Sequence, residues 1–188
     1  MFLLDTNVLS EFTKKRPNRH VLAWADWATS SHRLAIPFGA VFELQRGIES
    51  LRLRNPSRAH DLSRWLNEVL ETDMVFLAMD AAVARTYASM TTVPSLRHLW
   101  VPSPQNHRRG PGQDLAIAAT AIVYRIPVVS MDVHDFLRIH AHFELPGLFN
   151  PIEETWEIPM KRDLVKGPSA RIDVRSLETP SQHLRCCA

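Results

Sequence analysis

The chain is short of cysteine, of long apolar runs and of net charge, and each shortage excludes a class of protein. Its only two cysteines, Cys186 and Cys187, are adjacent at the C-terminal end. They cannot staple a fold, so the composition is that expected of a reduced, cytoplasmic protein. No apolar stretch approaches the roughly 18–20 residues that a membrane span requires. No basic segment precedes the apolar residues at the N-terminus, so a secretory signal is not expected. The formal net charge of +2 is too small to announce a nucleic-acid binder by itself. It is unevenly placed, because six Lys/Arg against three Asp/Glu from Lys161 onward leave the tail at +3 and the remainder at −1. Histidines (His20, His32, His60, His98 and His107) are scattered without paired spacing to an acid, which disfavours zinc.

What is present suits one domain with a sizeable core: 188 residues, of which 45% are hydrophobic. The opening stretch, MFLLDTNVLSE, reads as a short buried strand, Phe2–Leu4, that ends in Asp5 and leads directly into a helix, Val8–Lys15, stopped before Pro17. Helical spacing follows over His20–Thr29, with Val21, Trp24, Ala25 and Ala28 on one face. Arg33–Phe38 is a second strand, and Ala40–Arg54 a helix with Val41, Leu44, Ile48 and Leu51 inward and Glu43 beside that stripe. Asn55, Pro56 and Ser57 break it and cap a helix over Arg58–Thr72. Met74–Met79 is a third strand, and Asp80 caps a helix over Ala81–Met90.

From Thr91 to Gly112 the pattern fails. Pro94, Pro102, Pro104 and Pro111 interrupt it, and a long surface loop is expected, of the kind that is functional or mobile when it occurs in a compact domain. Gln113–Arg125 is a strongly apolar helix, Ile126–Ser130 a fourth strand, Asp132–Ile139 a turn and short helix, and Pro146–Ile152 a final edge strand. The expected domain is 1–158, and 159–188 a disordered or partner-ordered tail. Strands alternating with helices imply an α/β domain whose largely parallel sheet carries helices on both faces.

Four acidic positions stand out. In open α/β sheets, ligands bind outside the carboxyl ends of the strands, where Asp5 lies. Asp114 begins an all-round apolar helix, Glu43 lies beside an apolar stripe, and Asp132 and Asp135 follow the fourth strand. Each has an ordinary reading alone: Asp114 at a helix dipole, Glu43 paired with Arg46, Asp132 and Asp135 as a cap and a surface acid. Gathered together, they would repel one another strongly unless a cation lay between them. Hard divalent ions such as Mg²⁺ or Mn²⁺ accept carboxylates, waters and substrate phosphate.

LLDTNVLSE, the glutamate of AVFELQRGI, the aspartate of GQDLAIAATA and the segment VVSMDVHDF resemble the four acidic motifs of the PIN domain, and more narrowly its VapC/FitB-like toxins. The likeness runs from Met1 to about Trp156. It implies a PIN-like three-layer sandwich and a metal-dependent endoribonuclease, the toxin of a toxin–antitoxin pair. Asp5, Glu43 and Asp114 match the family's acids, and Asp132 or Asp135 the fourth. Asp5, Asp114 and Asp132 would hold Mg²⁺ or Mn²⁺, with Asp135 as the alternative to Asp132. Glu43 would hold a second ion or a water, and Thr6 would bond a carboxylate or ordered water. Asn7 would fix the strand-to-helix turn, or serve only as an Asx-turn residue. Arg46, Arg108 and Arg109 are the candidate RNA contacts. Phe12, Trp24 and Trp27 suggest a homodimer and a groove for an antitoxin peptide, or core packing instead.

Two segments depart from the family: the long Pro-rich loop before Gly112 and the tail from Lys161 to Ala188. They keep open a catalytically silent PIN scaffold that binds a partner. A haloacid-dehalogenase-like phosphatase, which also begins with a strand ending in Asp, needs a second Asp two residues later, where this chain has Asn7.

Overall fold

Strand β1, Phe2–Leu4, is buried along its whole length because it lies in the interior of a six-stranded sheet and is covered on both faces. The computed structural model describes residues 1–101 and 112–160. Within them follow α1 (Thr6–Glu11), α2 (Arg19–Ser31), β2 (Leu34–Pro37), α3 (Phe38–Arg52), α4 (Pro56–Leu70), β3 (Val75–Leu77), α5 (Ala81–Thr91), a 3-10 helix (Pro94–Leu99), α6 (Asp114–Tyr124), β4 (Val128–Val129), α7 (Val133–His140), β5 (Leu148–Asn150) and β6 (Thr155–Ile158). The sheet order is β3-β2-β1-β4-β5-β6. All pairings are parallel except β5 with β6.

That order carries a physical consequence. From β1 the chain steps outward through β2 to β3, then crosses back to β4 on the other side of β1 and continues to β5. Parallel crossovers are right-handed, so connections that travel in opposite directions lie on opposite faces. The helices therefore sandwich the sheet, as the alternation in the sequence implies. The reversal falls between β1 and β4, where the helices leave the sheet in opposite senses and open a crevice at the strand ends.

The core is built from β1, β2 and β4 with α6, whose residues from Leu115 to Ala121 are all buried. Gly39 sets how closely α3 approaches α6. A Cβ at that position would lie 3.2 Å from Gln113 Cβ, 3.2 Å from Ile117 Cγ1 and 3.3 Å from Ala116 Cβ. Glycine thus lets the first turn of α3, one turn before Glu43, rest against the first turn of α6, which begins with Asp114.

The structure corrects two expectations about the chain. The stretch expected to be loop from Thr91 begins instead with the end of α5 and the 3-10 helix, which buries Leu96 and Leu99 in the core. Pro94 reads as a breaker in sequence, but at a first helical position its missing N–H goes unused in any case. The remainder, 102–111, and the expected tail from 161 lie outside the described residues. The strand expected at Pro146–Ile152 is not the edge: β5 pairs with β4 on one side and β6 on the other. β6 returns through a turn at Glu154 (φ 56°) because Trp156 packs edge-on against Phe149, ring centroids 5.3 Å apart. Among the described residues no helix is long and apolar enough to cross a membrane.

Two glycines of α3 should respond with opposite signs. Gly39→Val overfills the α3–α6 contact and should lower stability by about 1–3 kcal/mol. At Gly47 no described atom beyond the adjoining backbone of its own helix lies within 4 Å of an added Cβ. Gly47→Ala should therefore raise stability by roughly 0.5–1 kcal/mol through helix propensity alone. Denaturant midpoints of the two variants check both.

Candidate active site

The β1–β4 register brings two polar residues to the mouth of the crevice. Leu4 pairs with Val129, so Asp5 and Ser130 leave the sheet side by side, and Asp5 N–H donates to Val129 O at 3.0 Å. Both are buried, Asp5 at 4% exposure and Ser130 at 0%. Asp5 caps α1: its Oδ1 accepts the Thr6 N–H at 2.6 Å. Its Oδ2 accepts from Asn7 Nδ2 at 2.7 Å and from Ser130 Oγ at 2.7 Å.

Asn7 does more than close a turn. Its Nδ2 also donates to Ser130 Oγ at 3.0 Å, and its Oδ1 accepts the Met131 N–H at 3.1 Å. The amide therefore ties the first turn of α1 to the chain leaving β4. An aspartate at this position could not donate to Asp5, so the site departs from the phosphatase arrangement. Ser130 Oγ further accepts the Asp132 N–H at 3.0 Å. Ser130 lies within VVSMDVHDF but is not one of its acids, and so does not stand out in the sequence. The signal available was its place: it follows the β4 strand in VVS as Asp5 follows β1 in FLLD, but only the pairing of the two strands makes those positions neighbours.

The charge on Asp5 has no cationic partner among the described residues. Burial, then the charge of Asp114, pushes its carboxyl up; the Ser130 hydrogen bond opposes this, Glu43 adds to it and the Thr6 N–H opposes it, and the result is about 8. Glu11, six residues away and also little exposed, but nearer the surface and less desolvated, shows the contrast. Burial pushes it up too, but hydrogen bonds from Lys14 Nζ and the Asn18 N–H, with the charge of Lys14, bring it below the usual carboxylate range. A buried acid in this protein is ordinarily paired. Asp5 instead faces two more acids.

Of the predicted acids, the structure brings Asp114, in the first turn of α6, and Glu43, on α3, within electrostatic reach of Asp5. Glu43 is partly exposed and lies 3.7 Å from Arg46 Nη2, and Arg46 lies over the Phe42 ring. Asp132 is exposed and sits at the N-cap of α7 without a side-chain capping bond. Asp135 is buried, and its Oδ1 lies 3.2 Å from Arg138 Nη1. Neither Asp132 nor Asp135 is among the charges that shift Asp5. Thr6 lies beside Asp5. Its link to Asp5 runs through the backbone, while its hydroxyl is buried and meets no partner among the described residues. Such a group ordinarily marks a site for water or a ligand atom. Arg108 and Arg109 lie outside the described residues. Trp24, a candidate for a partner surface, belongs to the core at 6% exposure, packed on Phe2 and Phe149; Trp27 is 52% exposed.

Among the described residues, no three or more His, Cys, Asp or Glu side chains are gathered closely enough to enclose an ion alone. The donors nevertheless fit one kind of cation. Mg²⁺ and Mn²⁺ prefer oxygen, and Mg²⁺ usually keeps several waters while binding one or two carboxylates and a substrate phosphate, with no full protein cage. A buried carboxylate that lacks a cationic partner among the described residues, with two further acids near it and a hydroxyl beside it that meets no partner among them, is chemically suited to that role.

A mostly parallel sheet with helices on both faces, and acids collected where its strand order reverses, defines an α/β protein of the PIN-like class. The PIN domain family profile matches residues 2–141, and the chain belongs to that family. The plasmid stability protein StbB of Pseudomonas syringae pv. tomato is 40% identical over 81 residues, 39% of this chain and 58% of that protein. The chain thus spans just over half the length of the curated relative it matches. Among solved structures, FitAcB from Neisseria gonorrhoeae is similar with a TM-score of 0.55 and 28% identity, over 80% of this chain and 98% of that one. VapBC2 from Rickettsia felis, bound to a DNA fragment from its promoter, shares the fold with a TM-score of 0.54 and 18% identity, over 79% and 97% of the two chains.

The raised Asp5 carboxyl has a definite sign in stability. Its folded value, about 8, exceeds the ordinary value of 3.8. The fold therefore binds this proton more tightly than the unfolded chain does. Stability from that proton is complete below pH ~4 and is lost as the pH rises through ~8. In chelator, the thermal midpoint should fall over this range in the wild type, and Asp5→Asn should lose that part of the slope. Parallel profiles for the two proteins would contradict the assignment.

Proposed function

We propose that this PIN-domain protein is a divalent-metal-dependent endoribonuclease and the toxin of a toxin–antitoxin pair, acting in the cytoplasm. The observation that carries the reading is the buried Asp5 carboxylate, which has Asp114 and Glu43 as electrostatic neighbours and, among the described residues, no cation to balance it. The VapC/FitB resemblance supports the nuclease assignment and the nature of the partner.

In this reading Asp5, Asp114 and Asp132 hold the ion, Asp135 being the alternative fourth acid. Bound Mg²⁺ or Mn²⁺ supplies a Lewis acid for the scissile phosphate and makes an adjacent water more acidic. Glu43, partly exposed at the rim, accepts a proton from the attacking water and orients it. The otherwise unbonded Thr6 hydroxyl fixes a water of the site. Arg46 lies 3.7 Å from Glu43 and presents a cation where the RNA backbone would pass, with Arg108 and Arg109 as further phosphate contacts. Burial of Asp5 excludes bulk water and so strengthens each of these electrostatic interactions.

The antitoxin and a second copy of the chain are the protein partners in this reading. A cleft of about 220 Å³ between the end of α1 and α4, lined by Phe12, Thr13, Arg58, Leu62, Trp65 and Glu68, offers an amphipathic surface to a peptide. Exposed Trp27 provides apolar area for association. The test is RNA cleavage by the purified chain with Mg²⁺ or Mn²⁺. Removing a partner of a metal ligand typically costs 10–100-fold, so loss of a ligand itself, in Asp5→Ala or Asp114→Ala, should cost at least ~100-fold. Cleavage that survives both substitutions, or persists in chelator, would overturn the proposal.

A further inference from the structure

Among the described residues, the hydrogen bonds around Asp5 leave one acceptor position open. An ionised carboxylate has about four lone-pair sites. On Oδ2 both are taken, by Asn7 Nδ2 at 2.7 Å and Ser130 Oγ at 2.7 Å. On Oδ1 one is taken, by the Thr6 N–H at 2.6 Å. The two Oδ2 donors are themselves fully engaged. Asn7 uses its second amide hydrogen on Ser130 Oγ at 3.0 Å and its carbonyl on Met131 N–H. Ser130 Oγ accepts from Asn7 and from Asp132 N–H, and its one proton points to Asp5. The Asp132 carbonyl is the competing acceptor, but at 3.2 Å it is farther away and uncharged.

We infer that Asn7 and Ser130 are positioning residues that hold Asp5 as a one-oxygen ligand, through Oδ1, and so bias the site toward Mg²⁺ or Mn²⁺ and against Ca²⁺. The inference rests on the metal-dependent reading above. Its physical basis is the difference between the two hard cations. Mg²⁺ demands near-octahedral geometry with short bonds and readily takes a single oxygen of a carboxylate. Ca²⁺ takes more oxygens at longer distances and often engages both oxygens of one carboxylate. With Oδ2 saturated by neutral donors, the two-oxygen mode requires breaking buried hydrogen bonds. Because Asn7 also holds Met131 N–H and Ser130 holds Asp132 N–H, the same clasp keeps the start of α7 in register with Asp5.

The test uses the full chain without RNA, so it reads cation binding apart from catalysis. Thermal midpoints are followed while MgCl₂ or CaCl₂ is added to the wild type, Ser130→Ala and Ser130→Thr, with metal-free melting curves establishing that each variant folds. Asn7→Ala, which removes the other Oδ2 donor, serves as the second probe should Ser130→Ala fail to fold. Wild type should respond to Mg²⁺ at lower concentration than to Ca²⁺. Loss of the Ser130 hydroxyl should raise the Mg²⁺ concentration for half effect by about tenfold and collapse the preference. Ser130→Thr, which keeps the donor, should restore the preference. A folded Ser130→Ala protein that retains the wild-type preference overturns the inference, as does a wild type that responds equally to both ions. A wild type that responds to neither overturns the metal-dependent reading and this inference together.

Discussion

A carboxylate is buried in this protein without a countercharge among the described residues, and the elements around it are arranged about that placement. Burying an ionised group is expensive unless hydrogen bonds or an opposite charge compensate it. Asp5 receives three hydrogen bonds, all from uncharged donors, and its electrostatic neighbours Asp114 and Glu43 add to the strain. Glu11, by contrast, is held below the usual carboxylate range by hydrogen bonds from Lys14 and the Asn18 N–H. Two acids six residues apart are thus pushed in opposite directions, Glu11 below and Asp5 above the usual carboxylate range.

The location follows from topology. At the seam between β1 and β4 the crossovers change direction, so no helix closes the strand ends there. The backbone must turn sharply out of both strands, and each turn delivers a short polar side chain: Asp5 from β1 and Ser130 from β4. Asn7 spans the gap with all of its hydrogen-bonding groups in use. From the sides come the first turns of α3 and α6, brought close by the absence of a side chain at Gly39. Regular elements thus position Asp5, Glu43 and Asp114.

The comparison with solved structures agrees at the level of fold: the likeness to FitAcB and VapBC2 spans about four-fifths of this chain. The PIN family profile covers residues 2–141, which include every element that borders this crevice. The particulars of this chain lie in how its own residues fill the site, above all in the Asn7–Ser130 clasp and the unbonded Thr6 hydroxyl.

Much of this was legible in the residue order. The β1 strand ending in Asp5, the caps at Asn55 and Asp80, the all-round apolar α6 and the alternation of strands and helices follow from local chemistry and periodicity, which act over a few residues. The candidate acids could be selected because a carboxylate next to apolar neighbours is unusual in any fold. Where the chain was misread, long-range packing overrode local pattern. Pro94 opens a core-packed 3-10 helix, and β6 forms because Trp156 finds Phe149. The distinction between Asp5 and Glu11, the role of Ser130 and the work of Asn7 depend on which strands become neighbours. Residues 123 to 125 positions apart meet at hydrogen-bond distance only once β1 and β4 pair. Periodicity determines which face of an element is buried; only the tertiary structure determines which polar groups then share that burial, and with what compensation.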